Sequence, residues 1–166
     1  FSAPSRALIG YQGQFMTATR GTGILNHVFS EYGPYKGLIT SRRNGALVSI
    51  ENGQATAYSI FNLQDRGTMF IKPQTKVYQG MIVGENNRDN DLEINVVKGK
   101  ALTNMRASGS DESAVLTPPK IMSLEQMMAY IKDDEVLEVT PVSLRLRKKY
   151  LCPNERKRHA KKQPKS

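Results

Sequence analysis

The chain is poor in the residues that build redox and metal chemistry. Of its 166 residues only Cys152 is cysteine, and only His27 and His159 are histidine. One thiol excludes an intrachain disulfide and leaves no thiol pair for a structural zinc site, which fits a reducing compartment. His27 falls in a short apolar segment and His159 in a basic tail, and no nucleophile, base and orienting group can be assembled around either. No stretch approaches the roughly 18 consecutive apolar residues of a bilayer span, and no charged-then-apolar leader opens the chain. A soluble, intracellular protein with no membrane partner is expected. The chain opens on Phe1 rather than Met and is read as a piece of a longer protein.

Phosphate and cation loops are missing from the pattern as well. A nucleotide cradle of the form G-x-x-x-x-G-K-[ST] does not occur, because Gly99-Lys100 runs into Ala101 and has no glycine at the required earlier spacing. Gly10, Gly13, Gly21 and Gly23 punctuate a helix instead of joining a strand to one. Asp89, Asn90 and Asp91 resemble the start of a calcium loop, but its sixth position is Ile94 and its twelfth is Lys100. An Asx-type turn is the expected role of that triplet.

What the chain has in excess is positive charge, and all of it lies at one end. The formal charge is +9, yet from Phe1 to Leu144 basic and acidic residues cancel, whereas Arg145 to Ser166 holds ten basic residues against Glu155 alone. The last dozen residues carry too little apolar surface to offset the entropy of ordering, so a loose tail is predicted. A run this dense points to a phosphate-seeking arm with salt-dependent affinity; the plainer alternative is a solubilising tail.

Along the chain, Phe1 to Ser5 reads as extended, Leu8 to Thr19 as a helix and Ile24 to Phe29 as a strand, which together make half of a domain. From Gly37 onward the signal turns to β. Ala46 to Ile50 and Gln54 to Phe61 flank Asn52-Gly53, a strong hairpin signal. Further strands are predicted at Thr68 to Ile71, Val77 to Val83, Leu92 to Val97, Val136 to Val139 and Val142 to Leu146, and their spacing points to a barrel or tightly curled sheet. One clear amphipathic helix starts at Ser123, with Gln126 completing a capping box and Leu124, Met127, Met128 and Ile131 as its core stripe. The fold class is α+β. Between sheet and helix, Lys98 to Glu112 (KGKALTNMRASGSDE) has no period and is rich in cations, amides, hydroxyls and glycine, a composition that suits contact with RNA as well as it suits a solvated loop.

The wording of four stretches goes further than composition. RGTGILNHVFSEYGPYKG, FNLQDRG, VYQGMIVGENNRDNDLEINVVKGKALTNMRASGSDE and LEVTPVSLRLRKKYL resemble, in collinear order, the C-terminal third of the BipA/TypA family of translational GTPases. That resemblance implies three parts: residues 1–36 as the second half of a ferredoxin-like domain V similar to that of elongation factor G, residues 37–152 as a family-specific C-terminal domain, and residues 153–166 as a flexible basic tail. It places GTP and magnesium in a GTPase domain absent from this chain, so no cofactor and no enzymatic activity are expected here. It also implies the ribosome as partner, with large-subunit rRNA and tRNA against the loop, in a monomer of the bacterial cytoplasm or plastid stroma that serves stress adaptation and large-subunit assembly. Carried over by position, Lys98, Lys100, Asn104, Arg106 and Ser108 are RNA-contact candidates, Arg88 and Asn90 follow in the preceding turn, and Arg145, Arg147, Lys148 and Lys149 match a basic strand end. The alternative reading is a protein-interaction or regulatory module kept soluble by its tail.

Overall fold

A computed structural model describes residues 1–37, 42–99 and 115–162 of the chain. Its centre is a pair of short strands, β1 (Ala46–Ser49) and β5 (Met81–Asn86), that run antiparallel and are almost wholly buried. Alternate residues of each strand face opposite sides of the sheet. Leu47, Met81 and Val83 join one apolar cluster with Ile60, Met69, Val77, Ile94 and Val96, while Ala46, Val48 and Ile82 join another with Met122, Tyr130 and Leu146. Burial on both faces is why these strands read as continuous apolar runs rather than alternating ones.

The rest of the sheet grows outward from this pair. β6 (Leu92–Ile94) lies parallel to β1 on the outer side. The other edge of β5 is shared: β8 (Leu144–Lys148) takes Met81 and Ile82, and β3 (Gly67–Met69) takes Gly84 to Asn86. β7 (Glu135–Val139) closes the series against β8, and the two-residue strands β2 (Gly53–Gln54) and β4 (Lys76–Val77) pair separately. Because β6 and β7 do not meet, the sheet is open. The α+β class stands, and of the expected barrel or tightly curled sheet the structure has an open sheet rather than a closed barrel.

The helices include α1 (Tyr11–Ala18), α2 (Ala57–Leu63) and α3 (Leu124–Tyr130), and of these α2 and α3 contribute buried residues to the two apolar clusters. The capping box of α3 forms as read: the Gln126 amide donates to Ser123 Oγ at 3.3 Å and the Ser123 amide to Gln126 Oε1 at 2.9 Å. Its buried side, however, turns on Tyr130 and Met127, and Met128 is 59% exposed, so the expected stripe of core methionines is only half right. The segment read as a strand from Gln54 to Phe61 is mostly α2. Thr56 caps it by accepting from the Ser59 amide at 3.1 Å, and the β-favouring Tyr58, Ile60 and Phe61 follow that cap because Ile60 finds its burial in a helix. Asn52-Gly53 makes no hairpin with β1; Asn52 Oδ1 instead accepts from the Gln79 amide at 2.8 Å, and Gly53 at φ 154 lets the backbone pass against Val97.

At the N-terminus the predicted helix is split. Ser5–Leu8 is a 3-10 turn, Gly10 takes a left-handed φ of 77, and α1 begins only at Tyr11. Ile24 to Phe29 forms no strand: no described residue pairs with it, and Val28 stays 90% exposed. A strand is held by a ladder, and apolar sequence alone does not supply one. At the other end, Pro153–Lys162 is helical (α4) where a loose tail was predicted. Proline at the first helical position, Glu155 in the first turn and lysines in the last are the local reasons.

Candidate nucleic-acid interface

The basic strand β8 sorts its own cations by strand alternation. Its register against β7 sets Lys148 opposite Glu135, Leu146 opposite Leu137 and Arg145 opposite Glu138. Leu146 and Lys148 therefore share the face that covers α3, and Arg145 and Arg147 share the other. Lys148 is 1% exposed, and its ammonium meets Asp91 Oδ2 at 2.5 Å, Asp134 Oδ2 at 2.8 Å and Glu135 Oε1 at 3.0 Å. Gly80, at φ 85, makes room for the close approach of Leu151 and accepts the Lys148 amide at 2.8 Å, which fixes the strand end.

Glu135 is shared with a second buried cation. Arg42 donates from Nη2 to Oε1 at 2.7 Å and from Nη1 to Oε2 at 3.1 Å, while its guanidinium lies 4.1 Å from the Tyr130 ring centroid. The Lys132 amide gives Glu135 a fourth donor at 3.1 Å. Asp91 does not make the expected side-chain turn: its Oδ1 accepts the Ala46 amide at 2.8 Å. Partial burial works against the Asp91 charge, yet that amide and the Lys148 ammonium hold its carboxyl below the usual range. Burial likewise opposes the charge on Lys148, and Glu135, Asp134 and Asp91 outweigh it and raise its pKa. This constellation ties β7, β8, the start of β1 and the β5–β6 turn together. It is a fold-holding site, and Lys148 is withdrawn from the RNA-contact candidates because its three donor positions are occupied and shut away from a ligand.

On the opposite face Arg147 is also engaged. Its Nε donates to Glu138 Oε1 at 2.6 Å, and Tyr78 Oη donates to Glu138 Oε2 at 2.6 Å. The Tyr78 phenol and Arg147 hold the Glu138 carboxyl below the usual carboxylate range. Arg145, half-buried beside the same carboxylate, adds to that field.

The cations open to solvent lie elsewhere. Lys98, Arg88, Asn90 and Lys149 are exposed. Lys98 is held by its backbone, since its carbonyl accepts Thr56 Oγ1 at 2.7 Å and Ser59 Oγ at 2.6 Å, which ties it to the start of α2. Arg88 is positioned in the same way by the Gly45 amide at 2.7 Å. Lys100, Asn104, Arg106 and Ser108 lie outside the described residues. Sequence reasoning passed over Arg43 and Arg66, both exposed and both delivered to the same sheet end as Arg88: Gly45 joins Arg43 to the turn, and the Asn87 amide donates to the Arg66 carbonyl at 2.9 Å. The tail read as a phosphate-seeking arm presents Lys157, Arg158 and Lys161 on α4, all three exposed. Among the described residues none of the eight exposed cations Arg43, Arg66, Arg88, Lys98, Lys149, Lys157, Arg158 and Lys161 has a carboxylate within ion-pairing distance. Exposed, unpaired Lys and Arg are the groups that neutralise phosphates.

The description "TypA/BipA C-terminal domain" matches residues 44–153, and "Elongation factor G C-terminus" matches residues 1–43. The chain belongs to the TypA/BipA family, whose C-terminal domain it carries behind a segment similar to the end of elongation factor G. Among its relatives, a protein of Bacillus subtilis named large ribosomal subunit assembly factor BipA is 53% identical over 163 residues, 98% of this chain and 27% of its own length. Proteins of the same name from Salmonella typhimurium and Haemophilus influenzae are 51% and 53% identical over 93% of this chain. The chain thus spans about a quarter of the length of the curated relatives it matches.

Proposed function

We propose that this chain is the ribosome-binding, RNA-contacting module of a translational GTPase that acts in assembly of the large ribosomal subunit. The observation that carries the reading is the similarity across nearly the whole chain to proteins named as assembly factors of that subunit. The surface supports it: Lys98, Arg88 and Lys149 are exposed with no described ion-pair partner, Asn90 is exposed in the same turn as Arg88, and the stretch of sequence after Lys98, with Lys100, Asn104, Arg106 and Ser108, has the cations and short polar groups that reach phosphates, sugars and base edges. In this reading the loop gives the preference for large-subunit rRNA and tRNA. The free cations add affinity without sequence preference. GTP binding and hydrolysis belong to another part of the parent protein, which works in the bacterial cytoplasm or plastid stroma.

Co-sedimentation with purified ribosomal subunits tests this. The chain is expected to pellet with large subunits at low salt and to be released as salt rises, and to stay largely in the supernatant when mixed with isolated small subunits. Recovery with neither subunit would refute the reading and favour a protein-interaction module. Calorimetric titration with GTP should give no saturable heat, because this chain has no phosphate cradle.

A further inference from the structure

The tail that composition leaves as a loose arm is, in the structure, a helix with two different sides. Arg156 and His159 turn back to the body of the protein. Arg156 donates from Nη1 to the carbonyls of Tyr150 at 3.1 Å and Leu151 at 2.7 Å, and from Nη2 to Glu93 Oε1 at 2.7 Å, so it straps α4 to the edge strand β6. The His159 ring stacks on Tyr150, with centroids 3.9 Å apart and planes within 9°. With 3.6 residues per turn, Lys157, Arg158 and Lys161 fall on the side away from those anchors, and all three are exposed.

We propose that α4 is a fixed phosphate-docking ridge: Lys157, Arg158 and Lys161 lie along the backbone of structured RNA, and Arg156, as a positioning residue, sets the ridge by holding Glu93. The proposal rests on the ribosome-binding reading and goes beyond it, since that reading needs no order in the tail. Its ground is the arrangement of charge. Lys157 and Lys161 are one turn apart, and Arg158 and Lys161 three residues apart, so like charges are neighbours on a short helix that is marginal by itself. No described carboxylate, Glu155 of the first turn of α4 included, comes within ion-pairing distance to relieve them. A polyanion of regular spacing does. An anionic membrane fits less well, because the outward side has no large apolar residue to enter a bilayer.

The test uses the whole chain and a 20-base-pair RNA duplex labelled with fluorescein, read by anisotropy over a series of salt concentrations. Substituting Lys157, Arg158 and Lys161 together by Gln should weaken binding at least tenfold and lower the salt slope by roughly two to three, one for each lost phosphate contact. Two strap variants decide whether the ridge is fixed. Glu93→Lys adds positive charge and Arg156→Gln removes it, and both should weaken duplex binding about three- to tenfold while speeding amide exchange across residues 154–161. Binding by Glu93→Lys as tight as or tighter than that of the parent chain would overturn the proposal, since a flexible arm responds to charge alone. So would a triple variant that keeps duplex affinity but loses binding to vesicles containing one-third phosphatidylserine. If the triple variant binds duplex normally while the parent chain still pellets with large subunits, the ridge falls and the ribosome reading stands. If the parent chain binds neither subunits nor duplex, both fall.

Discussion

Lys148 and Lys161 are thirteen residues apart in one basic run, yet they stand in opposite environments. Lys148 lies under the sheet among three carboxylates; Lys161 stands on the outer side of α4 with no described partner. The difference arises from secondary structure, which assigns each cation a direction before any partner is considered. On β8 every second side chain enters the interior and must bring a counter-charge with it. On a surface helix anchored along one side, the other side faces water, where a cation costs little and stays available. The net charge of +9 is therefore a poor count of what a polyanion meets. Arg147, Lys148 and Arg156 are engaged by Glu138, by Asp91, Asp134 and Glu135, and by Glu93, and the free set is drawn from Lys149, Lys157, Arg158 and Lys161 together with Arg43, Arg66, Arg88 and Lys98.

The largest effect should come from the interior set. Glu135→Ala strands Arg42 and leaves Lys148 with its two more exposed partners, so urea unfolding should show a loss of about 3–5 kcal/mol, the cost typical of breaking a buried pair from one side. A loss below about 1 kcal/mol would mean that water reaches the cluster and that interior and surface cations differ less than argued here. Acid offers a gentler probe. The Asp91 carboxyl is held below its ordinary value, so its contribution is fully present above the unfolded pKa of about 4 and is lost as pH falls through the folded value. Thermal stability should be level from pH 6 to 8 and decline below about pH 4, and Asp91→Asn should lower the plateau and flatten that decline. The smallest effect on stability belongs to α4: replacing Lys157, Arg158 and Lys161 by Gln should change unfolding free energy by no more than about 0.5 kcal/mol.

Much of the local structure was legible because its causes are local. Ser123 and Gln126 bond to each other, so the start of α3 could be read from four residues, and the strand around Leu146 follows from the alternation of Leu144 and Leu146 with arginine. The burial of Lys148 was legible too, and was missed: it stands two residues after Leu146 on the same strand face, and period two alone marks it as inward. What could not be read were contacts between distant parts of the chain. Arg42 and Glu135 are 93 residues apart in sequence, and Arg156 and Glu93 are 63 apart. No window of sequence contains both members of either pair. The same holds for α2, where β-favouring residues become helical because the Thr56 cap and the burial of Ser59 and Ile60 prevail over propensity. The candidate RNA surface divides likewise. The family wording marked Lys98 and Arg88, whereas Arg43 and Arg66 reach the end where Arg88 lies through backbone pairings that only the fold reveals.

The division of cations into fold-holding and partner-facing sets is tested most directly by the salt dependence of affinity for large ribosomal subunits. Lys148→Met should leave the slope of log affinity against log salt unchanged in the folded protein, because that ammonium meets carboxylates and never phosphate. Joint replacement of Lys157, Arg158 and Lys161 should lower the slope by roughly two to three. A slope that falls by about one for Lys148→Met, or that stays fixed when the three α4 cations are removed, would contradict the account.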